Sequence, residues 1–362
     1  MSYTNGLDDP SLYFNTLIWT GNDNESRDIT GVGFQPDWVW GRRRDDAAGH
    51  NLLDVVRGAG QDSELQTNGT GIEGAGGQDR FGFLSAFLSD GFRVEDGSEA
   101  SGDKAYWNQN SATYVAWNWK AGTTASGSTS GSGTAKTYNS STSTTSGFSI
   151  VKYVGNATAN HQFPHGLGVK PAMVWIKNLT DNTTNWQGYN KDLTATKSFK
   201  LNSTDSPATT ASVTNNVEPT TTVFNLGSAG DANGNDQNHI AYMFADKQGF
   251  SKVGQYTGNG NADGAFLYLG FKPAFIVIKD ISSTDPWHII DNKRSPINLM
   301  NARLFPNSSN AESTSADICD FLSNGVKFRG TNDGFNGSRT YMYMAFAESP
   351  FVNSNKVPNN AR

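Results

Sequence analysis

Apolar runs too short for a helix recur along the chain, each fenced by Gly, Pro, Asn or charged residues. "AMVWI" (172–176) and "AFIVI" (274–278) are apolar at every position, where a half-exposed strand would alternate. Their shortness and β-branched content predict strands covered on both faces. Both follow Gly, two residues and Pro, in "GVKPAMVWIKN" (168–178) and "GFKPAFIVIKD" (270–280). "GFQPDWVWGRR" (33–43) is a bulkier version in which Gly41 takes the last apolar position. Gly supplies a tight turn and Pro fixes φ where the chain enters the strand. Lys177 and Lys279, which follow the apolar runs, are expected to mark the return to water.

The pattern extends beyond the Pro motif. Upstream stand "IWTGN" (18–22), "KYVGN" (152–156) and "QYTGN" (255–259). Downstream, each copy closes on an alternating strand, "TYVAWNW" (113–119), "HIAYMFA" (239–245) or "TYMYMAFA" (340–347). Along these, Trp117 shares a face with Trp119, Tyr242 with Phe244, and Met344 with Phe346. Pro171 to Phe244 and Pro273 to Phe346 are equal in length; the first copy is longer by a Gly-rich insertion, "TNGTGIEGAGGQ" (67–78). "FLSDGF" (87–92) returns as "FLSNGV" (321–326), whereas the middle copy reads "TTTVFNLG". Before each closing strand lies a polar loop, "EASGDKAYWNQN", "SAGDANGNDQN" or "TNDGFNGS", each read as a hairpin connection.

Units of about 100 residues have a domain's length rather than a solenoid repeat's. The expected fold is therefore all-β, with almost no helix: three tandem β-sandwich domains of jelly-roll or lectin-like type, at 1–122, 148–248 and 249–352. Residues 123–147 form a Gly/Ser/Thr-rich linker, flexible over 122–133 and rich enough in Thr and Tyr over 134–146 for an edge strand. Residues 353–362 are a polar tail.

Composition narrows the function. A net charge of −6 with 17% charged residues argues against a nucleic-acid partner. The start of the chain has no basic and apolar leader pattern, and no apolar run reaches membrane-spanning length, so neither a signal peptide nor membrane insertion is expected. The single Cys319, between Ile318 and Phe321, reads as a buried thiol. Triplets such as Asn202-Ser203-Thr204 are attributed to composition rather than glycosylation.

Candidate chemistry is sparse. "DANGNDQN" begins like a calcium loop at Asp231, Asn233 and Asn235, but Asp236 and Tyr242 stand where Gly and Glu belong, so a turn is expected. His161 and His165 have no zinc partners in sequence and read as turn residues. "RRRDD" (42–46) reads as a solvated, self-compensating strand end, and the recurring Trp186 and Trp287 as packing positions. No catalytic motif, metal set or cofactor signature is present, and no enzyme activity is expected. The expected binding residues are Tyr106, Trp107, Asn108 and Gln109, rings beside amides in the longest polar loop, suited to a sugar or protein partner, with burial of the rings against the neighbouring domain as the alternative.

Taken together, "DDPSLYFNTLIWTGN", "HNLLDVVRGAG", "TYVAWNWKAG", "GFSIVKYVGN", "YTGNGNADG" and "YMYMAFAESPF", with the Pro motifs, resemble a tandem-repeat domain of unknown function. That family occurs in virion structural and tail-appendage proteins of marine bacteriophages and cyanophages. The resemblance implies a virion protein, first a tail fibre or receptor-facing adhesion appendage. The alternatives are a capsid decoration or other head or tail structural protein with no receptor and, third, a polysaccharide-degrading tailspike. It implies other virion proteins as partners, a host-surface glycan or protein as target, and, by analogy with phage fibres, a homotrimer. It carries over no catalytic residues.

Overall fold

The computed structural model describes residue 4 and residues 6–360. Nearly all regular structure is antiparallel strand; besides a short 3-10 turn, the helices are Gln78–Phe81 and Gly230–Asn233. Each repeat is a two-layer unit. The large sheet of the first runs Phe14–Thr20, Thr113–Trp119, Trp38–Arg43, Asn51–Asp54, Leu65–Gln66. The third repeat reproduces this with Ser251–Thr257, Thr340–Pro350, Phe271–Asp280 and His288–Asp291. The second centres on Phe148–Val154, Asn238–Phe244, Met173–Asn178 and Gln187–Asn190. Register is shared: Trp38 lies opposite Trp119, Met173 opposite Phe244, and Phe275 opposite Phe346.

The unbroken apolar runs are buried on both faces, as their composition requires. Val174 and Ile176 face outward, under a small sheet of the same repeat. Met173 and Trp175 face inward, into a core shared by all three repeats. Phe275 and Val277 enter that core, while Ile276 and Ile278 point the other way. Trp38 and Trp40 enter it too, with Val39 on the outer side. At its centre the equivalent rings Trp119, Phe244 and Phe346 meet edge to face, with centroids 5.6, 6.0 and 6.4 Å apart. The three units therefore surround a pseudo-threefold axis and have one interior in common, unlike tandem domains with separate cores.

The segment expected as a flexible linker is folded. Thr123–Ser128 pairs with Thr137–Ser143, which pairs in turn with Phe148–Val154, extending the second large sheet to eight strands. Every residue of Thr123–Ser128 is exposed. Gly/Ser composition records this lack of side-chain burial, not the backbone ladder that holds the strand. Ser130–Gly131 joins the second small sheet beside His161–Pro164, on the edge opposite Val223–Leu226. The middle copy thus lacks the third strand that Phe83–Leu88 and Cys319–Leu322 supply elsewhere, and gains one at the other edge. Cys319 is fully buried. Among the described residues no helix is long and apolar enough to cross a membrane.

A charge at Val174 or Phe275, both fully buried, is expected to cost several kcal/mol. Because the interior is common, Phe275→Asp should melt the whole chain in one transition, while Val174→Asp strikes the outer core of the second repeat. Two resolved wild-type transitions, or a Phe275→Asp variant melting within a few degrees of wild type, would contradict the shared core.

Candidate functional site

The junctions between repeats hold a recurring set of buried polar side chains. Arg42, Lys177 and Lys279 occupy equivalent positions, six residues after the motif Pro, and all are fully buried. Each reaches a loop of a neighbouring repeat. Lys177 Nζ donates to the Thr70 carbonyl at 3.0 Å, Lys279 Nζ to the Thr204 carbonyl at 3.1 Å, and Arg42 Nη2 to the Ser309 carbonyl at 2.9 Å. The two lysines therefore do not return to water, and Arg42 of "RRRDD" is not solvated. Burial pulls each lysine's pKa down to about 8 and Arg42's to about 10.

The accepting loops share an Asn-[Gly/Ser]-[Thr/Ser] triplet, at 68–70, 202–204 and 307–309. Asn68, Asn202 and Asn307 accept from the backbone N–H of His50, Trp186 and Trp287 at 3.0, 3.0 and 2.9 Å. Two residues before each Asn lies the carbonyl that meets the next repeat's ring. Trp186 Nε1 donates to Gln66 O at 3.0 Å and Trp287 Nε1 to Lys200 O at 3.1 Å. His50 has Phe305 O as its neighbour without a well-formed hydrogen bond. The second repeat thus docks on the first, the third on the second, and the first on the third, which closes the ring.

Two junctions add an ion pair. Asp54 binds Arg57 Nε and accepts from Tyr242 of the second repeat at 2.7 Å. Asp291 binds Arg294 Nε and accepts from Trp117 of the first repeat at 3.0 Å. At the third junction the corresponding residues are Asn190, Leu193 and Met344, so carboxylate, guanidinium and donor are absent together. Arg44 and Arg294 both hold Glu312.

Beside each triplet lies a further set of equivalent positions, and here the repeats diverge. In the first repeat it is Asn51, Glu64 and Gln66, roofed by the Gly-rich insertion; a Cβ on Gly76 would lie 2.0 Å from Glu64 Oε1. Burial raises the Glu64 carboxyl to about 7. In the second repeat Gln187 and Ser198 bond each other, and the short helix Gly230–Asn233 roofs them through Asp231, which accepts from Gln187 Nε2 at 2.7 Å. In the third repeat His288, Arg303 and Phe305 instead line an open basin of about 900 Å³, completed by Asp285, Asn307 and Asn332. The Arg303 guanidinium lies over the Phe305 ring at 5.5 Å. His288 Nε2 is 3.4 Å from Asp285 Oδ1, while His288 Nδ1 and Arg303 Nε are buried without partners. Burial lowers the His288 pKa, so the ring is neutral at neutral pH. This basin is the strongest candidate recognition site.

The residues expected to bind from the sequence stand elsewhere and are mostly interior. Trp107 is fully buried and Asn108 nearly so. Trp107 fills the place of the side chain missing at Gly41, where a Cβ would lie 2.2 Å from the indole. Its counterparts are Ala232 and Phe335, both fully buried. Asn108, Asn233 and Asn336 are likewise equivalent, accepting from the backbone of Asn22, Asn156 and Asn259 in the "GN" motifs. Tyr106 is half-buried and donates to Gly76 O at 2.9 Å; Gln109 accepts from Arg43 at 2.6 Å. An exposed Trp107 ring is thus not available, and the signal for its burial is the recurrent Asn that follows it. "DANGNDQN" holds a short helix in place of the expected hairpin connection. His161 pairs with Asn233 and Thr129, and His165 with Thr220 O and Leu167 N. Among the described residues no three His, Cys, Asp or Glu side chains converge as a metal site.

A family model described as a domain of unknown function (DUF7483) matches residues 9–350, a span that takes in all three repeats. No curated protein matches the chain.

Two measurements check the interior. Trp107→Ala should destabilise the protein by about 3–5 kcal/mol; a wild-type urea midpoint would return Trp107 to the surface. The buried lysines release their protons near pH 8 in the folded chain and near 10.4 when unfolded, so between these values the unfolded chain holds more protons. Their contribution to stability should rise with pH from about 8 to 10 and be flat below. Lys177→Met/Lys279→Met should flatten that rise relative to wild type in urea melts at pH 8 and 9.5, and equal slopes would contradict their burial.

Proposed function

The chain belongs to the DUF7483 family, whose description assigns no function; from the site and the resemblance of the repeat motifs we propose that it is a non-catalytic bacteriophage particle protein, a tail fibre or other receptor-facing appendage. In this reading the open basin of the third repeat holds a host-surface glycan. The observation that carries it is the divergence of three equivalent positions: two are roofed by the chain's own residues, and one stays open, polar and floored by an aromatic ring. Planar polar side chains around an aromatic face suit hydroxyl and C–H contacts of a sugar. The setting in a phage particle rests on the resemblance of the repeat motifs. Several copies on one appendage would turn a weak contact into firm attachment.

A second reading, a decoration or structural protein with no receptor, draws on another surface. Phe266 and Tyr268 are 48% and 54% exposed on the edge strand Asp263–Tyr268. Exposed rings on a sheet edge suit contact with other particle proteins.

Antibody labelling of particles, with binding of the purified protein to host cells, separates these readings. Label at the tail extremity and saturable cell binding are expected. Label on the head without cell binding would establish the decoration reading. Reducing ends released from host polysaccharide would overturn the non-catalytic one.

A further inference from the structure

Of the interior guanidiniums at the junctions, Arg57 is held by Asp54 and Glu73 and Arg294 by Asp291 and Glu312; Arg42 donates through Nη2 to the Ser309 and Asn310 carbonyls, leaves Nε and Nη1 without partners, and is fully enclosed by protein. Arg303 differs. Among the described residues its guanidinium has no carboxylate within ion-pair distance and no hydrogen-bond acceptor, and its Nε is buried and unpartnered. The Phe305 ring lies beneath it, and both line the basin. Its equivalents are Glu64 in the first repeat and Ser198 in the second, so this position is cationic only where the basin is open. Burial costs the Arg303 guanidinium hydration that the Phe305 ring and the more distant Asp285 carboxylate offset only in part, and an incoming anion would make up the rest.

We infer that the basin of the third repeat is a site for an acidic saccharide, with Arg303 receiving the sugar's carboxylate or sulfate and Phe305 facing its apolar side. This inference rests on the glycan reading above and names the class of glycan. The guanidinium fork matches a two-oxygen anion. The rest of the basin limits how much negative charge can enter. Asp285 faces the same space, Asp333 is neutralised by Arg339, and the amides of Asn307, Asn310 and Asn332 are suited to neutral hydroxyls. One anion among hydroxyls satisfies this arrangement, whereas a phosphate-dense polymer would meet both acids and a chain of net charge −6.

The test is calorimetric titration of the whole chain with three oligosaccharides of equal length: a hexuronate, a sulfated hexose and a neutral hexose. At least one acidic oligomer should bind about tenfold or more tighter than the neutral one, the loss expected when a charged hydrogen bond goes unmade. Whichever acidic oligomer binds identifies carboxylate or sulfate as the recognised group. Arg303→Ala should abolish the preference, Arg303→Lys should keep part of it, and both should melt close to wild type. If Arg303→Ala fails to fold, Arg303→Gln, nearer in shape, takes its place. Equal binding of acidic and neutral oligomers, no acidic binding, or a preference that survives the loss of Arg303 would overturn the inference. Wild type that binds host cells and an Arg303→Ala variant that binds them equally would sink the acidic class and leave adhesion standing. Acidic binding in the basin without cell binding would leave this site standing and remove the adhesion role.

Discussion

Trp119, Phe244 and Phe346 meet edge to face on the pseudo-threefold axis, and the rest of the structure depends on that meeting. A large sheet in this chain has one face under its own small sheet and the other bare. The bare faces carry Trp38, Trp40, Trp117, Trp175, Tyr242 and Phe275, too much apolar surface to leave in water. Three sheets turned inward bury it together. The rings at the axis therefore act as a condition on every repeat: each must present its closing strand at the same height and register.

Closing three sheets around an apolar interior leaves their strand ends and loops to be matched at the rims. There the buried cations act. Arg42, Lys177 and Lys279 each stand next to last in the strand that brings apolar side chains to the axis, and each binds a backbone carbonyl of the neighbouring repeat. A carbonyl in a loop is directional where an apolar contact is not, so these bonds set the rotation of one unit against the next. The junction with Asn190, Leu193 and Met344 lacks the carboxylate–arginine pair yet retains the lysine and ring bonds. The ion pairs are thus an addition to the junction, not its foundation.

Much of this is legible in sequence, and the limits are physical. Apolar runs without alternation correctly imply burial on both faces, since that inference needs only the hydrophobic effect. They do not say what covers the second face, and a partner sheet two hundred residues away leaves no local trace. Lys177 looks like a strand end meeting water because its burial depends on the Thr70 carbonyl of another repeat. The triplet at 68–70, 202–204 and 307–309 is visible, but in a chain rich in Asn, Ser and Thr it is hidden by composition until its bonds are seen. Trp107 reads as unique because its counterparts are Ala232 and Phe335; aligning on the following Asn recovers the position. The basin could not be read at all, since its openness depends on which loop roofs which repeat. Thr123–Ser128 shows the reverse error, where a flexible composition coexists with a fully paired backbone.

The covalent continuity of the ring changes what variation can do to it. In an assembly of three identical chains, one substitution alters three faces at once, and the assembly dissociates on dilution. Here every junction is intramolecular, so the ring persists however scarce the protein, and each face mutates alone. Glu64, Ser198 and Arg303 record that freedom: three equivalent places have acquired an acid, a hydroxyl and a cation without disturbing one another. A molecule of this kind can hold two faces constant for shape while the third varies with whatever it meets.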